Sequence, residues 1–243
     1  MKKSKTRIFI DKTISSNLVL KIENKQHHFL KHVLRVKIND NINIFDGISG
    51  EWQANILKIN RETIFIKVVK KIYNFKKSSD TWLIIAPIKQ NRMSLAIQKA
   101  TELGVSKIIP CLTEFTDIKK INLKNLQENA IQSSEQCERL DIPKIEETFS
   151  LDKLLSDWPK DRKLIYCDEK LKKNAFIIDS LISLKNIKNK FAVLVGPEGG
   201  FSNLEKKLIT NNPNVISVSL GKRVLRSDTA ITVALYCLQE LTL

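Results

Sequence analysis

Two stretches of this 243-residue chain combine glycines with charged side chains directly after apolar runs. Residues 191–200 (FAVLVGPEGG) are an apolar run that ends in a glycine-rich turn, and residues 220–230 (LGKRVLRSDTA) follow the alternating run at 215–220. Each pattern indicates a buried strand that breaks into a loop and then into a helix. Because glycine lets a ligand lie against bare backbone, the two loops predict a binding site at the carboxyl edge of an α/β sheet. Ordinary tight strand-to-helix connections are the alternative.

Several classes of chemistry lack their motifs. Neither loop is G-x-G-x-x-G or G-x-x-x-x-G-K-[ST], which argues against a dinucleotide fingerprint and a P-loop. The chain has no G-x-S-x-G elbow, no H-E-x-x-H, and no cysteine with a placed histidine and asparagine partner, so covalent hydrolysis has little support. Arg226, Ser227 and Asp228 at a helix start could instead offer positive charge, oriented amides and a carboxylate to a ligand.

The order of motifs along nearly the whole chain is specific to one family. HVLR at 32–35, FDG at 45–47, RMSLAIQKATELGV at 92–105 and EQCERLDIPKI at 135–145 precede the two loops GPEGGFSNLE and LGKRVLRSDTA. In this order the motifs resemble the RsmE family, the bacterial 16S ribosomal RNA uridine N3 methyltransferases, which belongs to the SPOUT superfamily.

The resemblance implies a fold, a cofactor and partners. We expect an α/β, trefoil-knotted SPOUT methyltransferase domain preceded by a small PUA-like β-barrel that binds RNA, with S-adenosylmethionine bound in a bent form in the knot. It also implies a homodimer whose active site is completed across the interface, and 16S ribosomal RNA in the small subunit as substrate. The knot rests on the resemblance alone, because true knots are rare.

The resemblance also assigns site residues. Methylation of uridine N3 requires that nitrogen to lose its proton. Arg226 is the candidate for stabilising a uracil oxygen and Asp228 for accepting or relaying the proton, although a helix-first-turn acid explains Asp228 about as well. The implied cofactor contacts are Leu194, Gly196, Glu198, Gly199, Gly200, Leu220, Gly221, Val224, Leu225 and Arg226, of which Leu194 and Val224 fit a core role equally well.

Four arginines are candidates for RNA binding: Arg7, Arg35, Arg92 and Arg139. For Arg7 and Arg35 the alternative is ion pairing on the surface. Gln136 is a further candidate beside Arg139, and for these two residues the alternative is an ordinary surface contact. Glu102 could help to organise the site or form a structural ion pair.

Five residues in three places depart from the family pattern. Gln90 and Asn91 stand where glycine and an acid are usual, Lys222 replaces a common proline, and Ser227-Asp228 replaces Thr-Glu. The last change keeps a hydroxyl and an acid, with a shorter reach. The Gln90 change puts a tight turn in doubt, and with it an RNA contact by Lys89.

The elements that position these motifs fall into two domains, predicted at 1–72 and 73–243. Residues 1–79 contain 17 Lys and Arg against 6 Asp and Glu, so most of the net charge of +15 lies there, and a concentrated basic surface suits a polyanion. Solvated lysines from a compositional bias are the alternative. Within this third we predict short strands at 41–45, 51–59 and 63–69 and a helix at 26–34, with a boundary in the charged stretch 70–79.

The rest of the chain alternates strands with helices. The predicted strands are 81–87, 107–112, 164–167, 191–195 and 215–220, and the predicted helices are 93–103, 122–138, 175–185, one starting at the capping box 202–205, and 229–241. Such alternation is typical of an α/β layered sheet. The apolar final helix fits a dimer interface and an interior helix equally well.

Composition limits the remaining possibilities. A hydrophobic content of 42% with 28% charged residues is typical of a soluble globular protein, and the absence of an apolar core after the basic start favours the cytoplasm. Four scattered cysteines without a C-x-x-C pair indicate reduced thiols. His27, His28 and His32 lack a thiol or acidic partner nearby, so we expect no metal site there.

Three functions remain open from the sequence. The first is methylation of uridine N3 in 16S ribosomal RNA by a SAM-dependent enzyme. The second keeps the cofactor and changes the RNA target, and the third is a non-catalytic RNA-binding assembly factor. The intact glycine loops argue against the third.

Overall fold

The computed structural model describes residues 4, 6–171, 175–184 and 190–242. Contacts within the chain divide it into two units. The first comprises the residues up to Lys77 together with Ser134–Ile142, and the second comprises Ser78–Ser133 and the residues from Pro143 onward.

The first unit is built on a five-stranded sheet. Its strands are β1 (Arg7–Phe9), β2 (Val19–Ile22), β3 (Asn41–Phe45), β4 (Glu51–Ile59) and β5 (Ile64–Tyr73), in the order β1-β3-β4-β5-β2. β1 pairs with β3 in parallel and the other pairs are antiparallel. The predictions for β3 and β4 are confirmed, β5 runs four residues further than predicted, and β1 and β2 were not predicted.

One hydrophobic core joins these strands to a helix. The helix α1 (Asn24–His28) continues through a π-helical segment, Phe29–Val33, which confirms a helix in this region. Leu30 on that segment is fully buried with residues from all five strands, among them Ile44, Ile56 and Ile66. Alternating burial along β3 and β5 is the pattern of a sheet with one face on the core.

The second unit contains a parallel sheet. Its strands are β6 (Thr81–Ile85), β7 (Lys107–Leu112), β8 (Lys144–Ile145), β9 (Phe149–Ser150), β10 (Arg162–Cys167), β11 (Lys190–Val195) and β12 (Val215–Val218). The order is β12-β10-β11-β6-β7-β8, and β9 pairs with β7. Residues 191–195 of the central β11 are all buried, as expected for a parallel strand that is covered on both faces. The predicted α/β sheet is confirmed, although β8 and β9 were not predicted.

Six helices follow β6 in the described part of the chain. They are α2 (Gln90–Glu102), α3 (Leu123–Gln136), α4 (Leu151–Ser156), α5 (Ile177–Ile182), α6 (Asn203–Asn211) and α7 (Ser227–Thr242). The last three residues of α3 belong to the first unit. Five were predicted near these positions and α4 was not. α5 is shorter than predicted, and residue 185 of that prediction lies outside the described residues. The helix α2 starts at Gln90, and Gly104 ends it with a φ of +74°.

The apolar face of α7 packs within its own unit. Ile231, Ala234, Leu235 and Leu238 are buried, and α7 contacts α2, α5 and β11. The apolar residues of this helix are therefore largely accounted for without a second chain. Within the described residues, no helix is long and apolar enough to span a bilayer.

Candidate functional site

The loop after β11 is held by the start of α6. The Ser202 hydroxyl accepts a hydrogen bond from the Glu205 amide. In return, the Glu205 carboxylate accepts a hydrogen bond from the Ser202 amide at 2.9 Å. This confirms the predicted capping box. Before the capping box, the chain turns at Gly200, whose φ of +71° is in the left-handed region. The Gly200 amide donates a hydrogen bond to the carbonyl of Pro197. The turn therefore depends on a residue without a side chain.

The loop after β12 lies against the loop after β11. Ser227, the first residue of α7, donates its hydroxyl to the Gly196 carbonyl at 3.1 Å. Ser219 exchanges backbone hydrogen bonds with Ala175 and Ile177, which holds the start of the loop. The loop after β10 joins them, since the Asp168 amide donates to Val218. Three loops thus meet at the carboxyl edge of the parallel sheet, where open α/β sheets bind ligands.

Between these loops lies a cavity of about 250 Å³, which we call the knot-loop cavity because the resemblance implies a knot in these loops. The loops after β10, β11 and β12 line it with backbone, apolar groups and charges of both signs. The lining residues are Tyr166, Cys167, Asp168, Glu169, Val195, Gly196, Pro197, Glu198, Gly200, Phe201, Lys206, Ser219, Leu220, Gly221, Arg223, Val224, Leu225, Arg226, Ser227 and Ala230.

The structure brings most of the predicted cofactor contacts to this cavity. Gly196, Glu198, Gly200, Leu220, Gly221, Val224, Leu225 and Arg226 line it. Two do not: Leu194 is 1% exposed inside the hydrophobic core, and Gly199 lines a neighbouring cavity. Val224 is 76% exposed, so the alternative of a core role for this residue is wrong.

Sequence reasoning missed the contribution of β10. Asp168 and Glu169 follow this strand directly and place two carboxylates at the knot-loop cavity. The sequence could have predicted this contribution, because the Asp-Glu pair directly follows a buried strand. In a parallel sheet, residues at that position lie at the same edge as the other two loops. Lys206 and Arg223 were also missed, and each adds a cation to the lining.

A second cavity, of about 380 Å³, adjoins the first. Glu198 lines both cavities. The other lining residues come from the loop after β6, the start of α2, the loop after β7 and the glycine loop: Pro87, Ile88, Lys89, Arg92, Phe115, Asp117, Ile118 and Gly199. The shared Glu198 makes the two cavities neighbours on one sheet edge.

Arg92 is tied to the wall between the cavities. Its Nη1 donates to Glu198 Oε1 at 2.8 Å, and the two side chains are 34% and 47% exposed. An ion pair that is this exposed contributes little to stability. Arg92 is therefore positioned at the site and accessible there, as an RNA-binding candidate must be.

The two predicted catalytic residues lie at the start of α7. Arg226 is exposed and lines the knot-loop cavity, and its carbonyl accepts the Ala230 amide. Asp228 lies in the first helical turn, and its Oδ1 is buried without a hydrogen-bond partner among the described residues. A buried acceptor without a partner is costly, and Asp228 lines neither of the two cavities described here, although its neighbour Ser227 lines the knot-loop cavity.

The thiol of Cys167 does not provide a nucleophile. Burial and, to a smaller extent, the neighbouring Cys237 raise its pKa to about 12. The thiol is therefore neutral at physiological pH, whereas the thiolate is the reactive form. Among the described residues no group of three histidine, cysteine or acidic side chains could hold a metal ion.

The RNA-binding predictions for Arg7 and Arg139 require correction. Arg7 is 9% exposed, pairs with Glu51 at 2.9 Å, donates to the carbonyls of Ser134 and Arg139, and stacks on Phe45 at 3.7 Å. The side chain of Arg139 is 8% exposed and pairs with Asp141. Both guanidinium groups are used inside the first unit, so neither is free to contact a phosphate.

The other candidates are exposed. Arg35 lies on the surface with a φ of +51°, and no described acidic residue pairs with it. Gln136 is also exposed. Glu102 forms an ion pair with Lys99 at 2.8 Å and accepts from Gln98, which supports its structural alternative.

Two protein-family models match this chain, one in each of its two predicted domains. The family model described as RNA methyltransferase domain matches residues 76–239. A second model, described as RNA methyltransferase PUA domain, matches residues 22–69. The two matches cover most of the chain in the order that the sequence indicates.

Curated relatives match over almost the full length. The chain is 34% identical over 230 residues to a protein of Rickettsia conorii named ribosomal RNA small subunit methyltransferase E, with 94% of this chain and 93% of that protein covered. A protein of the same name from Buchnera aphidicola is 32% identical, with 98% and 97% covered.

Solved structures with the same fold include two with a bound cofactor. A methyltransferase of Legionella pneumophila in complex with SAM has a TM-score of 0.85 and 27% identity. A ribosomal RNA small subunit methyltransferase E of Neisseria gonorrhoeae bound to S-adenosyl methionine has a TM-score of 0.84 and 26% identity. Each comparison covers 98% of both chains.

Proposed function

The chain belongs to the family of ribosomal RNA small subunit methyltransferase E, and on that premise we propose that it transfers a methyl group from S-adenosylmethionine to N3 of a specific uridine in 16S ribosomal RNA. The observation on which this rests is the meeting of three strand-to-helix loops around one cavity, whose lining includes the exposed Arg226 and the carboxylates of Asp168 and Glu169. The sequence alone left a second RNA target and a non-catalytic role open, and the experiment below separates them.

The residues of the knot-loop cavity fit S-adenosylmethionine. Leu220, Leu225 and the exposed Val224 offer apolar surface to a flat adenine ring. Asp168 and Glu169 are carboxylates suited to ribose hydroxyls and to positive charge, while Lys206 and Arg223 suit a carboxylate. The predicted contacts Gly196, Gly200 and Gly221 add accessible backbone, and we retain Leu194 and Gly199 only as residues that support the loop.

The reaction needs a proton acceptor and a stabiliser of negative charge. When bound, S-adenosylmethionine supplies an electrophilic methyl group. We assign Asp228, with its partnerless buried oxygen, to accept the N3 proton of uridine, directly or through water. We assign Arg226 to donate to the uracil oxygen on which negative charge develops. Both assignments place the developing charge beside the start of α7, where the helix dipole stabilises anions.

RNA binding is assigned to the basic N-terminal part of the chain and to the rim of the site. We propose residues 1–72, together with Ser134–Ile142, as the RNA-binding domain and the rest of 73–243 as the catalytic domain. Positions 1–79 contain 17 basic and only 6 acidic residues, and this basic excess supports RNA binding by the N-terminal domain. Arg35 and Arg92 remain the proposed RNA contacts, and the assembled small subunit in the cytoplasm is the proposed substrate.

A homodimer and a knotted chain path complete the proposal. Exposed apolar side chains on the contacting helices α5 and α7 support a dimer: Ile178 and Ile182 are 50% and 54% exposed, and Tyr236 is 55% exposed. Support for the knot comes from the segment between β12 and α7, which leaves the edge of the sheet and meets the loop of the central β11 at Gly196.

Two measurements test the function. Calorimetric titration of the protein with S-adenosylmethionine tests the cofactor site, and incubation with radiolabelled cofactor and small subunits from a strain lacking the enzyme tests methyl transfer. We expect saturable binding and one labelled uridine, which chromatography identifies as 3-methyluridine. A different methylated nucleoside would show another RNA target, and binding to subunits without transfer would show an assembly factor.

A further inference from the structure

The second cavity, which we call the acceptor cavity, combines an aromatic ring with a cation at the wall of the knot-loop cavity. Phe115 lines it and is 46% exposed, and Arg92 lines it beside Glu198. We propose that this cavity binds the base of the target uridine and that Phe115 is the residue on which the uracil ring stacks. The inference rests on the proposed function and names a binding residue that the sequence did not indicate.

Phe115 is held rigidly by its own turn. Thr116 is 4% exposed, its hydroxyl accepts the Thr113 amide at 3.0 Å, and its amide donates to the Thr113 carbonyl. The neighbouring Glu114 amide donates to Glu205 Oε1 at 2.8 Å. A ring presented by a turn that is tied at both sides loses little freedom on binding, which favours its use as a stacking surface.

The glycine loop is shaped to let Phe115 approach. A Cβ on Gly199 would lie 3.0 Å from the Phe115 Cβ, so a side chain there would require Phe115 to shift by a few tenths of an ångström. This contact explains a glycine that does not line the knot-loop cavity. The loop that forms the wall of one cavity therefore also supports the aromatic residue of the other.

The charges of the acceptor cavity suit a neutral base better than a free anion. Two cations, Lys89 and Arg92, face two carboxylates, Asp117 and Glu198, so the formal charge of the lining is balanced. Uracil is neutral and presents two carbonyl acceptors, to which an arginine or a lysine can donate. Pro87, Ile88 and Ile118 add the apolar surface that a flat ring requires. An extruded base of this kind is bound in a pocket by stacking and edge contacts.

Steady-state methylation of small subunits tests the role of Phe115. We expect Phe115→Ala to lower kcat/KM about 5- to 150-fold, the range for loss of one stacked base, with S-adenosylmethionine affinity unchanged by calorimetry. Phe115→Tyr should keep most of the activity. Leu204→Ala, at an apolar residue that is 71% exposed and lies outside both cavities, is the matched control and should behave as the wild type.

A binding measurement tests the same contact without catalysis. Phe115→Trp places an indole at the cavity, and we expect uridine 5′-monophosphate to quench its fluorescence saturably above the response of the wild type, whose tryptophans lie elsewhere. Equal quenching in both proteins would overturn the inference. So would wild-type methylation by Phe115→Ala, or a loss of cofactor affinity in that variant. A wild-type protein that does not methylate subunits would overturn the proposed function instead.

Discussion

The carboxylate of Glu205 accepts a hydrogen bond from the backbone amide of Glu114, at 2.8 Å across 91 positions of sequence. The same carboxylate closes the capping box of α6 through the Ser202 amide. One acidic side chain thus joins the turn after β7, which presents Phe115, to the loop after β11, which contributes to both cavities. This connection therefore ties together two loops that line the cavities.

Glu205→Gln should loosen this connection. The amide keeps the size of the side chain but loses the charge-assisted hydrogen bonds, so we expect a loss of about 1 kcal/mol in the free energy of unfolding and lower methylation activity. Urea denaturation and subunit methylation measure the two effects. Glu62→Gln, at an exposed turn, is the control, and an equal stability change in both variants would contradict the prediction.

Gly196→Ala should weaken cofactor binding. A Cβ at this position would lie 2.6 Å from a ring carbon of Phe201, which is 7% exposed in the hydrophobic core. Because the buried ring has little room to move, the loop must shift, at a cost of about 1–3 kcal/mol. Calorimetry should show a clearly weaker affinity for S-adenosylmethionine. Gly104→Ala, at a position with open space but a strained φ, tests whether backbone strain alone has this effect.

Asp228→Asn should separate catalysis from binding. Removing the proposed proton acceptor is expected to lower kcat about 10²- to 10⁴-fold, while the affinity for S-adenosylmethionine stays close to that of the wild type. Asp179→Asn is the control, since Asp179 is also an acid in the first turn of a helix. If both variants lose activity equally, the effect of Asp228 is on the helix and not on the proton.

Arg7 and Arg35 should behave as opposites. Arg7→Met removes a buried guanidinium and leaves Glu51 without its charged partner, so we expect a loss of about 3–5 kcal/mol in the free energy of unfolding.

Arg35→Ala should change the free energy of unfolding by less than about 0.5 kcal/mol and weaken RNA binding. Its signature is a reduction of about one in the slope of log affinity against log salt. A stable Arg7→Met protein with weakened RNA binding would reverse our correction.

Asp46 should contribute a pH-dependent part of the stability. Burial raises the pKa of its carboxyl, but hydrogen bonds from the Ser49 hydroxyl and from the amides of Ile14, Ser49 and Ile48 outweigh this and hold the pKa below its ordinary value of 3.8. A lowered folded-state pKa means that the stabilisation is present above pH 3.8 and is lost as pH falls through the lower value.

The comparison of wild type with Asp46→Asn measures this contribution. The wild type should be more stable at neutral pH, and its advantage in urea denaturation should shrink as the pH falls below about 4. Asp11→Asn, at an exposed residue, should show no such change. An advantage of the wild type that stays constant with pH would mean that Asp46 acts through packing.

Much of the fold could be predicted because its signals are local. The capping box at Ser202 and the continuous apolar run of β11 depend on neighbouring residues, and both were identified correctly. β1, β8 and β9 were missed, because strands of two or three residues have too little periodicity to be recognised and exist only through their pairing partners.

The site was predictable to the extent that it consists of loops that follow strands. The sequence by itself determined the parallel α/β sheet, the two glycine loops, the basic N-terminal part and, through its motifs, the family. Only the tertiary structure decided that Arg7 is buried against Glu51, that Gly199 supports Phe115, and that Asp168 joins the cavity. The physical reason is that burial and long-range contact depend on which elements become neighbours in the folded chain, and an arginine or a phenylalanine has the same local signature in either environment.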